Sequence, residues 1–413
     1  MSPERGIHGT SILEESARIR DELLPIEAAA AADAHATRSK LLEGARLRLG
    51  YGEPDAGPTG GLVDTRISEK RPVITPESLS EVLPPSEISV ATTLKSRNDI
   101  AEILTHQDDR MIVIVGPCSI HDPEAALEYA EQVKNWREQY GDDLEIVMRA
   151  YMEKPRSELD WKGFIYDPEL DGSDDINLGV VATHLVACQI TDMGVPIAME
   201  RLNALTPQYV NGLVAYDAIG ARNTTDQKAR EYGSGTSSPV GFKNTPEGSI
   251  VAAAQAVVTA NGAHAFLGMG MNGMPNQIET TGNELAHVIL RGDQNGPNYS
   301  EKHIAETTAL LKKKGLLNAI VIDASHGNSL KVADNQIEVI ADVSRQVALG
   351  EQAIRGVMIE SNLVAGSQNL KKTPKEELIY GQSVTDECVG LPDTITMLSA
   401  LADAVRKRRL VTS

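Results

Sequence analysis

The sequence predicts an α/β protein: a (β/α)8 TIM barrel with an N-terminal helical extension. Three observations carry that expectation. Eight short β-branched runs recur from residue 110 onward, capped amphipathic stretches separate them, and chemically unusual residues stand where the runs end. Near-continuous apolar strands alternating with helices imply a parallel sheet covered by helices. A doubly wound open sheet is the alternative, but eight units is the count of a closed barrel.

In chain order, residues 1–49 read as one or two helices, around the alanine run Ala28 to Ala32 and the periodic stretch RSKLLEGARLRL. YGEPDAGPTGG then interrupts the periodicity with glycine and proline, which marks a linker. Apolar spacing gives a second helical arm at about residues 87–108. The runs expected to be strands are RMIVIVGP (110–117), LEIVMRA (144–150), VPIAMER (195–201), AIGAR (218–222), VGFKN (240–244), HAFLGM (264–269), NAIVIDAS (318–325) and IRGVMIES (354–361). Between them, DPEAALEYAEQVKNWREQY opens on an Asp cap with Pro in the first turn, and SEKHIAETTALLKKKG opens on Ser and closes on Gly. The expected organisation is an extension and linker over 1–62, an arm over 63–109 and a catalytic barrel over 110–413.

Composition narrows the partners. With 58 acidic against 39 basic residues the net charge is −19, which repels nucleic-acid backbones and anionic lipid unless a local basic pocket overrides it. No stretch of signal-peptide or membrane-spanning character is apparent, so a soluble cytoplasmic protein is expected. Cys118, Cys188 and Cys388 are too few for a disulfide framework, and any special cysteine is a ligand or a reactive thiol.

The run ends carry Cys118, Arg149, Glu200, Arg222, Lys243, His326 and Glu360. In a barrel those ends share the face on which active sites are built. Singly, each is more ordinarily a solvated loop charge or a satisfied core residue; together they sort into two chemical sets. Cys118 in GPCS, His326 in DASHGNS, Glu360 in MIES and Asp386 in VTDEC could hold a divalent first-row cation with an open position. A buried thiol among unrelated surface carboxylates is the competing reading. Arg149, Lys154, Arg156, Arg222, Lys243 and Arg291 form a cationic set suited to phosphate and carboxylate groups, with Pro155 restricting the backbone between two of them. Surface salt bridges would explain LKKKG and VRKRRL, but not cations at strand ends. A metal beside a polyanion pocket narrows the chemistry to lyases and transferases acting on phosphosugars.

These residues resemble the type I 3-deoxy-D-arabino-heptulosonate 7-phosphate (DAHP) synthases. The likeness is carried by GPCSIHDPEAALEYA, LEIVMRAYMEKPRS, WKGFIYDPELD, LTPQY, AIGAR, SSPVGFKN, HVILRG, PNYS, IDASHGNS, GVMIESNLVAGSQ and YGQSVTDECVG, across residues 110–391, with weaker similarity back to SEVLPPSEI. The related 3-deoxy-octulosonate 8-phosphate synthases share the barrel but differ in the lysine-containing loop. The resemblance implies condensation of phosphoenolpyruvate with erythrose 4-phosphate and water, at the start of the shikimate pathway. It implies a divalent ion (Mn, Fe, Co or Zn) on Cys118, His326, Glu360 and Asp386. It places Arg149, Lys154, Glu200, Arg222, Lys243 and Arg291 around phosphoenolpyruvate, and Lys154, Pro155, Arg156 and Ser157 toward the aldose phosphate. Lys154, Arg149 and Glu200 would be catalytic, Lys154 as proton donor.

The resemblance also implies a homo-oligomer, dimer or tetramer, and an aromatic amino acid effector near Pro207, Gln208, Ser237, Phe266 and Gly268. Glycine at 268 leaves room for a para hydroxyl and favours tyrosine over phenylalanine; a deregulated enzyme is the alternative. Met199, Glu200, Arg201, Leu202 and Asn203 depart from the family's Gly-Glu-Phe-Leu-Asp-like run, Asn223 stands where Thr is usual, and MGMNGMPNQIE (269–279) differs as well. These departures bear on the effector and the aldose. Two other readings therefore stand beside a DAHP synthase: the same chemistry on another aldose phosphate, and a catalytically silent regulatory barrel.

Overall fold

The computed structural model describes residues 72–156 and 158–412, with residues 66 and 67 and isolated positions between 13 and 21. The helices expected over 1–49, the linker after them and the boundary between 62 and 63 lie outside the described residues apart from those positions.

Two helices precede the sheet. In α1 (Pro76–Val82), Thr75 caps the first turn. In α2 (Glu87–Leu104), Ser86 does the same through its hydroxyl, 3.1 Å from the amide of Ser89. The sheet then follows as β1 (Met111–Gly116), α3 (Pro123–Tyr140), β2 (Leu144–Arg149), α4 (Ile176–Asp192), β3 (Ile197–Glu200), β4 (Val214–Ile219), α5 (Gln227–Ser234), β5 (Val240–Lys243) and α6 (Ile250–Ala260). After α6 come β6 (Ala265–Met269), β7 (Pro275–Glu279), β8 (His287–Leu290), α7 (Glu301–Lys314), β9 (Ile320–Asp323), α8 (Asn335–Ala348), β10 (Ile354–Glu360), β11 (Val364–Ser367), β12 (Gln382–Ser383) and α9 (Leu391–Thr412).

Eight strands close a parallel barrel in the order β1, β2, β3, β4, β5, β8, β9, β10 and back to β1. Every residue of these strands is buried, as expected for strands covered by helices outside and packed side chains within. The caps read from sequence form as expected: Asp122 accepts the amide of Ala125 at 3.0 Å at the start of α3, and Gly315 ends α7 at φ 67 in the left-handed region.

Three elements differ from expectation. HAFLGM is not a barrel strand: β6 pairs antiparallel with β7 in an exposed hairpin, and Leu267 is 80% exposed. The sixth barrel strand is HVIL, β8, whose four residues are all buried. The hairpin is an insertion between α6 and its strand, and its mixed polarity reflects two-stranded pairing in water. The fourth strand begins four residues before AIGAR, at Val214, and ends at Ile219. After β3 a 3-10 turn, Thr206–Tyr209, stands where a helix would complete the unit.

The N-terminal mouth of the barrel is closed by α2. Ile100, Ile103 and Leu104 pack in one cluster with interior residues Ile112, Ile114, Val147, Val321 and Met358. Buried Arg355 of β10 donates to the carbonyls of Ile103 at 2.8 Å and Asp108 at 2.6 Å, tying the end of α2 and the loop after it to the barrel. With that mouth plugged, the C-terminal rim is left open for a site.

Candidate active site

Parallel register brings the strand ends level. Gly116 at the end of β1 pairs with Glu360 at the end of β10, and Met148 of β2, one residue before Arg149, pairs with Val115 of β1. Above this rim opens a cavity of about 860 Å³ lined by Arg149, Lys154, Pro155, Arg156, Glu200, Arg222, Lys243, Arg291, His326, Glu360 and Asp386 among others. Every described member of the cationic set faces it. Ser157 lies outside the described residues.

Along one side, the fully buried Cys118 and the cavity-lining Glu360 and Asp386 each offer a ligand atom within 4.8 Å of the others. Cys118 and Glu360 are buried, while Asp386 faces the solvent side of the cavity. Burial, with Glu360 facing it, pushes the Cys118 thiol up to about 11. Lys154 Nζ donates to Cys118 Sγ at 3.0 Å and to its carbonyl at 3.2 Å. Burial alone would lower the Lys154 ammonium, but the facing sulfur and the carboxylates hold it above the usual lysine range. His326, the fourth residue of the metal set, also lines the cavity but stands outside this cluster, with its Nδ1 turned to Ser325 Oγ at 2.7 Å and Asp323 Oδ2 at 3.0 Å. One thiol and two carboxylates this close, with an imidazole on the same cavity, make a donor set that fits a divalent transition ion.

Arg149 is the buried centre of the floor. Its guanidinium reaches the carbonyls of Pro117 at 3.1 Å and Cys118 at 3.3 Å, pairs with Glu360 Oε1 at 2.8 Å, and stacks 3.7 Å above the Tyr151 ring. Removing either partner of such a buried pair strands a charge, at a cost of about 3–5 kcal/mol. Glu200 abuts Gly220: a Cβ there would come within 2.1 Å of the carboxylate oxygen, so only glycine permits this approach in AIGAR. Lys243 pairs with Asp323 at 2.8 Å, and Arg156 pairs with Asp160 on the exposed loop. Arg222 is exposed, with no ion pair among the described residues.

Four residues that shape the site were not singled out from sequence. Asp323 and Ser325 hold Lys243 and His326, Tyr151 supports Arg149, and Gln336 brackets Glu360 by accepting its amide at 2.9 Å and donating to its carbonyl at 3.0 Å. Asp323 and Ser325 lie inside IDASHGNS, where a charged residue closing an apolar run was the available signal. Burial would raise the Asp323 carboxyl, but His326 and Lys243 hold it well below the usual carboxylate range.

The residues expected around an effector lie on three segments. Pro207 and Gln208 are on the 3-10 turn, Ser237 is in the loop before β5, and Phe266 and Gly268 are on β6. Phe266 packs edge-on against Tyr232 with centroids 5.0 Å apart. Beside Gly268 an ideal Cβ would meet Ile278 Cδ1 at 2.3 Å, so the space expected there holds that methyl group.

A family model described as the DAHP synthetase I family matches residues 85–399. The chain belongs to the DAHP synthetase I family. The Phe-sensitive phospho-2-dehydro-3-deoxyheptonate aldolase of Escherichia coli strain K12 is 46% identical over 346 residues, 84% of this chain and 98% of that protein. A tyrosine-inhibited phospho-2-dehydro-3-deoxyheptonate aldolase of Schizosaccharomyces pombe is 42% identical over 350 residues, 84% of this chain and 94% of that protein. The solved phospho-2-dehydro-3-deoxyheptonate aldolase of Francisella tularensis SCHU S4 superposes with a TM-score of 0.81 at 45% identity, over 83% of this chain and 99% of that one. The barrel carries the reaction of its family, the joining of phosphoenolpyruvate, erythrose 4-phosphate and water to give DAHP and phosphate at the entry to aromatic amino acid biosynthesis.

Proposed function

We propose that this reaction runs in the rim cavity with its labour divided between the two walls. Arg149, Arg222, Lys243 and Arg291 hold the phosphate and carboxylate of phosphoenolpyruvate, while Arg156, Pro155 and Ser157 receive the phosphate of the aldose. Two mutually repelling anions are thereby held in attack geometry, which the cations offset electrostatically. Lys154 sits between them and gives a proton to the aldehyde oxygen as the methylene carbon of phosphoenolpyruvate attacks. Glu200 holds the water that adds at C2 and takes up its proton, and phosphate leaves by carbon–oxygen cleavage. Cys118, His326, Glu360 and Asp386 would hold a divalent ion (Mn, Fe, Co or Zn), which when bound supplies Lewis acidity toward the aldehyde. The observation that carries this reading is Lys154 Nζ at 3.0 Å from Cys118 Sγ, which joins the metal wall to the cationic wall at one point.

The same proposal takes residues 1–62 as an extension, 63–109 as an arm and 110–413 as the catalytic barrel, in a cytoplasmic homo-oligomer, dimer or tetramer. Among the described residues no helix is long and apolar enough to cross a membrane, and the net charge of −19 disfavours nucleic-acid backbones. Relatives named for sensitivity to phenylalanine or tyrosine support an aromatic amino acid effector. Phosphoenolpyruvate consumption, measured with erythrose 4-phosphate against other aldose phosphates, with and without chelator, tests the reading. Turnover with erythrose 4-phosphate, lost on chelation and restored by Mn²⁺, is expected. A higher kcat/KM with another aldose phosphate would move the enzyme to a specialised pathway, and no turnover with any of them would leave the silent barrel.

A further inference from the structure

Asp323 ends β9 with no exposed surface; its Oδ1 is hydrogen-bonded, while its Oδ2 makes close ion-pair contacts only. Oδ1 accepts the Ser325 amide at 3.1 Å and the Ser325 hydroxyl at 2.6 Å. Oδ2 lies 2.8 Å from Lys243 Nζ and 3.0 Å from His326 Nδ1. The Ser325 hydroxyl has given its only proton to Asp323, so at 2.7 Å from His326 Nδ1 it can only accept. Nδ1 therefore meets two acceptors and no donor. A hydrogen on Nδ1 is thereby favoured, and Nε2 is left with no hydrogen bond among the described residues. His326 itself stands at φ 57, a backbone setting uncommon for a side-chain-bearing residue, so the surrounding bonds must hold it.

We propose that Asp323 is a positioning residue that uses one carboxylate to set both walls of the site: it fixes the ring and tautomer of His326 for a metal, and anchors the Lys243 ammonium for the phosphoenolpyruvate anion. Metal-binding histidines work best when their other ring nitrogen donates to a carboxylate, and loss of that partner typically weakens metal binding 10- to 100-fold. Ser325 is the spacer that keeps the arrangement in register, since it bonds the carboxylate and the ring through one oxygen. The proposal rests on the reading of His326 as a metal ligand and Lys243 as an anion contact.

The test measures Mn²⁺ affinity of the substrate-free protein by competition with a chromophoric chelator, beside kcat, KM for phosphoenolpyruvate and a circular dichroism melt. It compares wild type with Asp323→Asn, Asp323→Glu, Ser325→Ala and His326→Ala. Asp323→Asn is expected to stay folded, bind Mn²⁺ roughly 10- to 100-fold more weakly, and raise KM for phosphoenolpyruvate. Folded Asp323→Asn with wild-type Mn²⁺ affinity, while His326→Ala is weakened, overturns the proposal. Wild-type affinity in His326→Ala instead defeats the assignment of that histidine as a ligand, and the role of Asp323 toward the metal falls with it. Should Asp323→Asn fail to fold, Asp323→Glu decides, because it keeps the charge but displaces the carboxylate from both partners: several-fold weaker Mn²⁺ binding supports the proposal and unchanged binding overturns it, while Ser325→Ala, which keeps both ion pairs, reports on the spacer alone.

Discussion

A neutral imidazole is locked into the barrel at His287. Its Nδ1 donates to the Leu285 carbonyl at 2.9 Å, leaving Nε2 to accept the Tyr216 hydroxyl at 2.7 Å. Burial depresses its pKa to about 4. The unfolded chain, with a histidine pKa of about 6.5, takes up a proton that the folded protein refuses. Stability is therefore full above that value and falls as pH drops from about 6.5 toward about 4, by roughly 3 kcal/mol at most. Urea midpoints across this window should decline more steeply for wild type than for His287→Gln, and parallel declines would refute the assignment. Nothing in HVIL announced this histidine, because its consequence comes from what surrounds it. The same holds for Asp323 and Gln336, which act through neighbours distant in the chain. Cys118, Arg149, Glu200 and Lys243 were legible because reactive or charged types interrupt apolar runs at the run ends, where a barrel gathers them.

At the scale of elements, the misplaced sixth strand shows where pattern reading fails. HAFLGM has the apolar content of a strand and is one, but its partner is β7 and its faces meet water. HVIL is only four residues long, and periodicity over so short a run cannot separate a buried strand from a loop. The 3-10 turn after β3 is tied to the lysine loop: buried Glu153, next to Lys154, accepts from Thr206 Oγ1 at 2.8 Å and from Asn203 Nδ2 at 3.0 Å. That turn carries Pro207 and Gln208, and the hairpin carries Phe266 and Gly268, so the effector proposal belongs to these two elements. Tyrosine is expected to lower the initial rate more than phenylalanine or tryptophan, each tested at millimolar concentration. Because Ile278 fills the space beside Gly268, that preference requires the Ile278 side chain to move aside, and Gly268→Ser, which crowds the same methyl group, should shift it toward phenylalanine. Inhibition of the wild type by phenylalanine alone contradicts the glycine argument, and indifference to all three amino acids indicates a lost site.

Over the whole molecule, the metal set lies across the seam where the barrel closes. Cys118 follows β1, Glu360 ends β10, and these first and last barrel strands pair side by side, Gly116 against Glu360. Asp386 comes from the segment leading into α9, which packs against α8 and α3. An ion held by these groups would join the two ends of the barrel sequence, and the unfolded chain offers no comparable site because Cys118 and Asp386 are then 268 positions apart. Binding to the folded state alone stabilises it by mass action, about 2.7 kcal/mol at a free concentration of 100 times Kd. Melting of the chelator-treated protein should accordingly move up by several degrees as Mn²⁺ is added, in step with saturation. Cys118→Ala should lower the affinity and shift the response to higher Mn²⁺, with the same outcome for Asp386→Asn. An equal rise at equal Mn²⁺ in wild type and both variants would place the stabilising ion elsewhere, and no rise in wild type at concentrations that restore turnover would show that the ion does not staple the seam.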